Sequence, residues 1–145
     1  MLHDDLKMTG HVSIALNNEV VKEIPNLVVT AGKGFVASRM KDASASAMSH
    51  LAIGTNGTAA AAGNTALGAE VARVSLTSTT VQNTNEVVYV ATFPAGTPSS
   101  AAAVVEAGLF NGSSGGTMLC RTVFSVENKG SAESKPITWT VTFRK

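Results

Sequence analysis

Glu70, Glu106, Cys120 and three histidines are the residues of this 145-residue chain whose types could carry chemistry. Two carboxylates facing one cleft support general acid–base work, one protonated and the other ionised. A sugar-cleaving pair built from Glu70 and Glu106 would also need aromatic side chains to hold the rings, and the chain has one Trp and one Tyr. Each acid instead has an arginine in reach. Arg73 follows Glu70 by three positions in LGAEVARV. Glu106 in VVEAGLF and Arg121 in TMLCRTVF flank the turn NGSSGG, a strong hairpin signal. A hairpin centred on that turn sets Phe110 near Thr117 and Glu106 opposite Arg121. An exposed cross-strand pair of opposite charge stabilises by about 0.2–1 kcal/mol. If the pair is buried, loss of one partner costs roughly 3–5 kcal/mol. We therefore read Glu70, Arg73, Glu106 and Arg121 as structural ion pairs, with Glu106 holding two strands in register. No catalytic residue is assigned, and no enzyme is expected.

The remaining candidates carry less. His3, His11 and His50 share neither H-x-H nor H-x-x-x-H spacing, so no metal site is expected. Cys120 alternates with Met118 and Thr122 in a strand pattern and reads as a small buried hydrophobe rather than a nucleophile. GTNGTAAAAG has the glycines of a phosphate loop but lacks its G-K-[ST] ending. NGT at Asn56 and NGS at Asn111 match the glycosylation sequon and read more simply as turns. No cofactor is implied.

Strands must position these residues, because the periodic signal is mostly of period two. In ITWTVTF, Ile137, Trp139, Val141 and Phe143 point one way and three threonines the other, as in a half-buried antiparallel strand. HVSIAL alternates from His11, and EVVYVATF is rich in β-branched and aromatic residues before Pro94 ends it. Residues 102–110 and 117–124 form the hairpin. Further strands are expected near Val20–Ile24, His50–Gly54 and Val74–Gln82. In TAGKGFVASRMKDA, Phe35, Val36, Arg39 and Met40 fall at helical spacing behind Thr30 as N-cap, which predicts one short helix over residues 31–41. Gly54 to Gly68 is small and turn-rich and reads as a long loop. Seven to nine short strands predict an all-β, antiparallel sandwich or barrel over residues 10–145, preceded by an N-terminal arm of residues 1–9.

Composition bounds the partners. Charged residues make up 14% of the chain, against about 25% in ordinary domains. Such a weakly charged surface favours association with partners and with itself. The net charge is +1 and the eleven Lys and Arg are dispersed, which argues against nucleic acid. MLHDDLK is polar with no apolar stretch behind it, so no signal peptide and no membrane segment are expected.

Several stretches resemble small structural proteins of tailed bacteriophages. These are NLVVTAGKGFVASRM, LAIGTNGT, the L-x-x-E-x-x-R pattern of LGAEVARV, the E-x-G-L-F pattern of VVEAGLFN, the L-x-R-x-x-F pattern of TMLCRTVF, and the closing KPITWTVTF. Together they cover about residues 26–143. The resemblance implies a jelly-roll-like sandwich that decorates or cements the outer capsid surface by binding across major capsid protein subunits. It also implies synthesis in a host cytoplasm and self-association as a dimer or trimer. The same layout occurs in tail, collar, baseplate and fibre modules, and a glycan-binding adhesion module is a third reading. The first 25 residues match no family motif. On a shell, Leu2, Leu6 and Met8 would fill a groove while Asp4 and Asp5, with Lys7 beside them, meet charged shell groups. That expectation makes residues 1–9 a capsid-binding arm.

Overall fold

The computed structural model describes residues 7–16 and 19–144. Nine strands and one helix follow one another as β1 (Lys7–Leu16), β2 (Glu19–Val28), α1 (Thr30–Lys41), β3 (His50–Gly54), β4 (Glu70–Ser75), β5 (Ser78–Gln82), β6 (Glu86–Phe93), β7 (Ala102–Phe110), β8 (Met118–Lys129) and β9 (Lys135–Arg144). The strands form one antiparallel sheet in the order β4-β3-β7-β8-β2-β1-β9-β6-β5. The sheet curls into a half-barrel, and two corners explain why.

The first corner is in β2, which pairs with β1 as far as Asn26 and then with β8 through Leu27 and Val28. Pro25 sits just before the switch. It has no N–H to give to a ladder, and its carbonyl accepts the Thr122 hydroxyl at 3.0 Å. The second corner joins the two edges of the sheet. β4 and β5 lie at opposite ends of the strand order, yet only Leu76 and Thr77 separate them in the chain. Leu76 N–H donates to Ser49 beside β3, and Thr77 N–H donates to Val90 on β6. A two-residue span reaches only about 7 Å, so the edges must converge there. The expected single strand Val74–Gln82 is thus two strands split by this corner.

Curling brings one face of both halves together. Val12, Phe93 and Trp139 from one half share a core with Leu51, Leu109 and Leu119 from the other. Trp139 is fully buried, and its Nε1–H donates to Asn26 Oδ1 at 2.9 Å. A second, smaller cluster lies on the outer face of β3, β7 and β8, where Ala52, Phe110 and Met118 meet Leu67 of the loop after β3. β3 is therefore covered on both sides, with Leu51, Ala52 and Ile53 all buried.

The helix spans Thr30–Lys41 and starts one residue before the expected 31–41 range. Thr30 is not its N-cap. Val29 occupies that position without a side-chain bond, and Thr30 N–H is satisfied by the Ala62 carbonyl at 2.8 Å. Gly32 lets the first turn approach β8, since a Cβ there would lie 2.0 Å from the Leu119 carbonyl oxygen. No helix among the described residues is long and apolar enough to cross a membrane.

The arm boundary is corrected. Lys7 and Met8 open β1 and pair with Arg144 and Phe143 of β9, so the expected arm of residues 1–9 overlaps the sheet. Alternation at Met8 and Val12 is broken by Gly10, where any Cβ would lie 1.7 Å from Asn26 Oδ1. The glycine required by packing thus hides the start of the strand. Leu2, Asp4, Asp5 and Leu6 lie outside the described residues.

Trp139→Ala is expected to cost about 3–5 kcal/mol, because it removes a fully buried ring and leaves a cavity. Urea unfolding checks this. The wild-type emission should be blue-shifted and shielded from iodide, and a quencher-accessible tryptophan would contradict the packing described.

Candidate functional site

Glu106 lies on β7 and Arg121 on β8, and both are buried, at 0% and 2% exposure. They meet as expected, but not directly across the hairpin. Glu106 faces Val123, Arg121 faces Gly108, and Phe110 faces Met118 rather than Thr117. Register shifts between Val104 and Glu106 and between Leu109 and Phe110 displace the ladder. Arg121 therefore reaches Glu106 diagonally along one face, with Nε at 3.1 Å and Nη2 at 3.0 Å from Oε1.

The further partners of this pair add to its expected role. Gly68 N–H donates to Glu106 Oε1 at 2.8 Å, and Asn56 and Ala69 N–H donate to Oε2 at 3.0 and 2.8 Å. All three donors belong to the loop between β3 and β4. Arg121 Nη1 reaches Asn64 Oδ1 in the same loop at 3.2 Å. Glu106 joins β7 to β8 through Arg121. It also fastens a long loop to the outer face of the sheet, and Leu67 fills the space beneath. Gly54 completes the arrangement. A Cβ there would lie 2.5 Å from both Glu106 Oε2 and the Ala69 carbonyl oxygen.

Burial by itself raises the Glu106 pKa. The backbone donors Gly68, Ala69 and Asn56, together with Arg121, outweigh it and hold the carboxyl below its ordinary value of 4.5. Its oxygens are fully enclosed by these donors, so no lone pair faces solvent.

Glu70 and Arg73 also pair, on edge strand β4, at 2.7 Å between Oε1 and Nη2. Arg73 does more than neutralise the acid. Its Nη1 donates to the Gly112 and Gly115 carbonyls of the β7–β8 turn, and its guanidinium stacks 3.8 Å from the Phe110 ring centroid. This ties the turn to β4. Gly115 and Gly116 take positive φ there, and Asn111 Oδ1 accepts Thr117 N–H at 2.7 Å. Asn111 is a turn residue, as expected. Asn56 is one too, since its Oδ1 accepts Thr58 N–H.

His50 contacts the hydroxyls of Ser49 and Ser75, and His11 is exposed, whereas His3 lies outside the described residues. No group of His, Cys, Asp or Glu among the described residues is arranged to hold a metal. Cys120 is fully buried, and burial pushes its thiol well above the ordinary range. Lys129 was not anticipated. It is 1% exposed, and its ammonium donates to the carbonyls of Pro94, Gly130 and Glu133, which satisfies all three protons without a carboxylate. A lone lysine in VENKGSAESK carries no sequence signal for this role, because its acceptors are backbone atoms.

The feature that this scaffold presents to solvent is the fastened loop. Residues 43–69 contain no Asp, Glu, Lys or Arg. Gly57, Thr58, Ala59, Ala61 and Ala62 are exposed, and Gly57, Ala59 and Ala60 line a shallow groove of about 430 Å³ with Pro25, Leu27 and Arg121. The chain matches no protein-family model, no curated protein and no solved structure.

Glu106→Gln is expected to destabilise by about 3–5 kcal/mol, because it leaves Arg121 buried without a counter-charge. A double-mutant cycle with Arg121→Met should show coupling rather than additivity. The acid profile follows from the lowered pKa. The contribution of Glu106 is complete above about 4.5 and is lost as pH falls through its lower folded value. Thermal melts between pH 6 and 2.5 should show this loss in the wild type, and Glu106→Gln should lack that component.

Proposed function

We propose that this chain is a non-catalytic structural protein of a tailed bacteriophage that decorates or cements the head by binding across major capsid protein subunits. The observation that carries the reading is the use made of Glu106. The most enclosed carboxylate of the described residues is committed to holding an uncharged loop in place, so the built feature is a contact surface. Small Gly, Ala and Thr side chains let a partner approach closely with little polar surface to desolvate. The buried pair fixes the loop before contact, which lowers the ordering cost of binding.

The motifs behind the phage resemblance add support because they converge in space. Gly54 of LAIG is required by Glu106 of VVEAGLF. Glu106 pairs with Arg121 of TMLCRTVF, and Arg73 of LGAEVARV stacks on Phe110. The finer fold that accompanies this reading is a jelly-roll-like sandwich, with the two halves of the curled sheet as layers over one shared core. Location on the outer capsid surface belongs to the same proposal.

Purified protein added to undecorated particles should bind at saturable stoichiometry and raise their heat resistance. Ala59→Arg places a charge on the exposed loop and should lower retention about tenfold or more, with an unchanged melting temperature. Deleting residues 1–6, which leaves β1 whole, separates the arm from the loop. Density on the tail rather than the shell in electron micrographs would overturn the head assignment. Equal retention of Ala59→Arg would exclude the loop as the contact.

A further inference from the structure

The two edges of the sheet are protected very differently. β4 carries Glu70 and Arg73, and Arg73 ties it to the neighbouring turn. β5 has no such device. Its residues Ser78, Thr79, Thr80, Val81 and Gln82 are all exposed, and among the described residues it pairs with β6 alone. The stretch from Val74 to Asn85 contains no charged residue and no proline. Edge strands that stay unpaired are normally blunted by lysine, proline or a bulge. The β5–β6 ladder is regular through all five residues.

The face beside this edge is also incomplete. Thr79, Val87 and Tyr89 line an apolar groove of about 420 Å³ beneath α1, where Met40 is 80% exposed. Val81 pairs with Val87, lies on the same face as Thr79, and is 68% exposed. An open backbone ladder beside open apolar surface calls for a strand, whose backbone fills the ladder while alternate side chains cover the face.

We infer that β5 pairs antiparallel with β5 of a second copy of this chain, about a twofold axis through Thr80. That register sets Ser78 opposite Gln82 of the partner subunit and Thr79 opposite Val81 of the partner subunit. It uses all five residues of each edge. The second copy is the occupant that the sequence of β5 favours. No like charges face each other across the axis, the central pair is Thr against Thr, and Thr–Val pairs flank it. The arrangement is self-complementary, as a twofold contact requires. It also delivers Val81 of the partner subunit to the groove mouth beside Thr79. The inference does not depend on a shell or any other partner. A contact of this length is smaller than a permanent interface, so the dimer should dissociate on dilution.

Sedimentation equilibrium on the full chain tests this. The expected result is a mass rising with concentration from 14.8 kDa towards twice that value. Val81→Lys adds the usual edge-blocking charge and should weaken the dimer about tenfold or more without changing the far-UV spectrum or the melting temperature of the monomer. Thr80→Cys places a thiol at the axis, and the native Cys120 is buried, so mild oxidation should give a dimer linked through position 80. A monomer at every concentration, a trimer, or a dimer that Val81→Lys leaves intact would overturn the inference. A dimer that Thr80→Cys does not cross-link would overturn the register.

Discussion

A carboxylate withdrawn from water must recover its lost hydration from donors in the protein, and Glu106 recovers it from both a guanidinium and three backbone amides. The amides come from one loop and the guanidinium from a strand. The group therefore couples pieces of chain far apart in sequence. Without it, three loop amides would have no acceptor, and Arg121 would keep only the Asn64 side chain and the Asn56 carbonyl, with no counter-charge. The loop would keep the Thr30 N–H bond to the Ala62 carbonyl and the apolar seat of Leu67, but it would lose its charge-assisted fastening over the outer faces of β3 and β7. Much of the covering of this face follows from satisfying one charge.

The curled sheet depends on a different constraint, the need to turn a long antiparallel ladder back on itself. Pro25 marks the first corner, one residue before the β1–β2 ladder ends at Asn26 and β8 takes over. The two-residue link between β4 and β5 makes the second by joining opposite edges. The corners bring the inner faces close enough for Trp139 and Leu51 to share one core. The outer face of the β3–β7–β8 half then needs a separate cover, which the fastened loop provides. Fold and site are thus linked, because the loop held by Glu106 is also the lid of the second apolar cluster.

Charge is distributed unevenly between the interior and the surface. Charge is spent on internal fastening at Glu106, Arg121, Glu70 and Arg73, and Lys129 is sealed among carbonyls. What is left outside on the loop and on β5 is neutral, and mostly Gly, Ala, Ser, Thr and Val. These surfaces carry no charge to desolvate. One is a preshaped face and the other an open ladder, so they suit different kinds of contact.

Strand content, the helix and the Glu70–Arg73 and Glu106–Arg121 pairs were legible in the sequence, for local reasons. Ile137 to Phe143 alternates because one face is core and the other is not, and Arg73 lies within one short segment of Glu70. The hairpin turn announced itself through Asn111 and its glycines, and that placed Arg121 near Glu106. Other features followed from contacts between distant segments, which leave no periodic trace. Gly10 conceals the start of β1 because Asn26 occupies the space above it. β3 does not alternate because a loop covers its second face. The register of the hairpin depends on displaced pairs that nothing in NGSSGG encodes, and the true partners of Glu106 are amides, which look the same in every residue. Side-chain type and local spacing determined which groups would pair. Only the tertiary structure decided what the pair fastens, because backbone donors acquire their role from position alone.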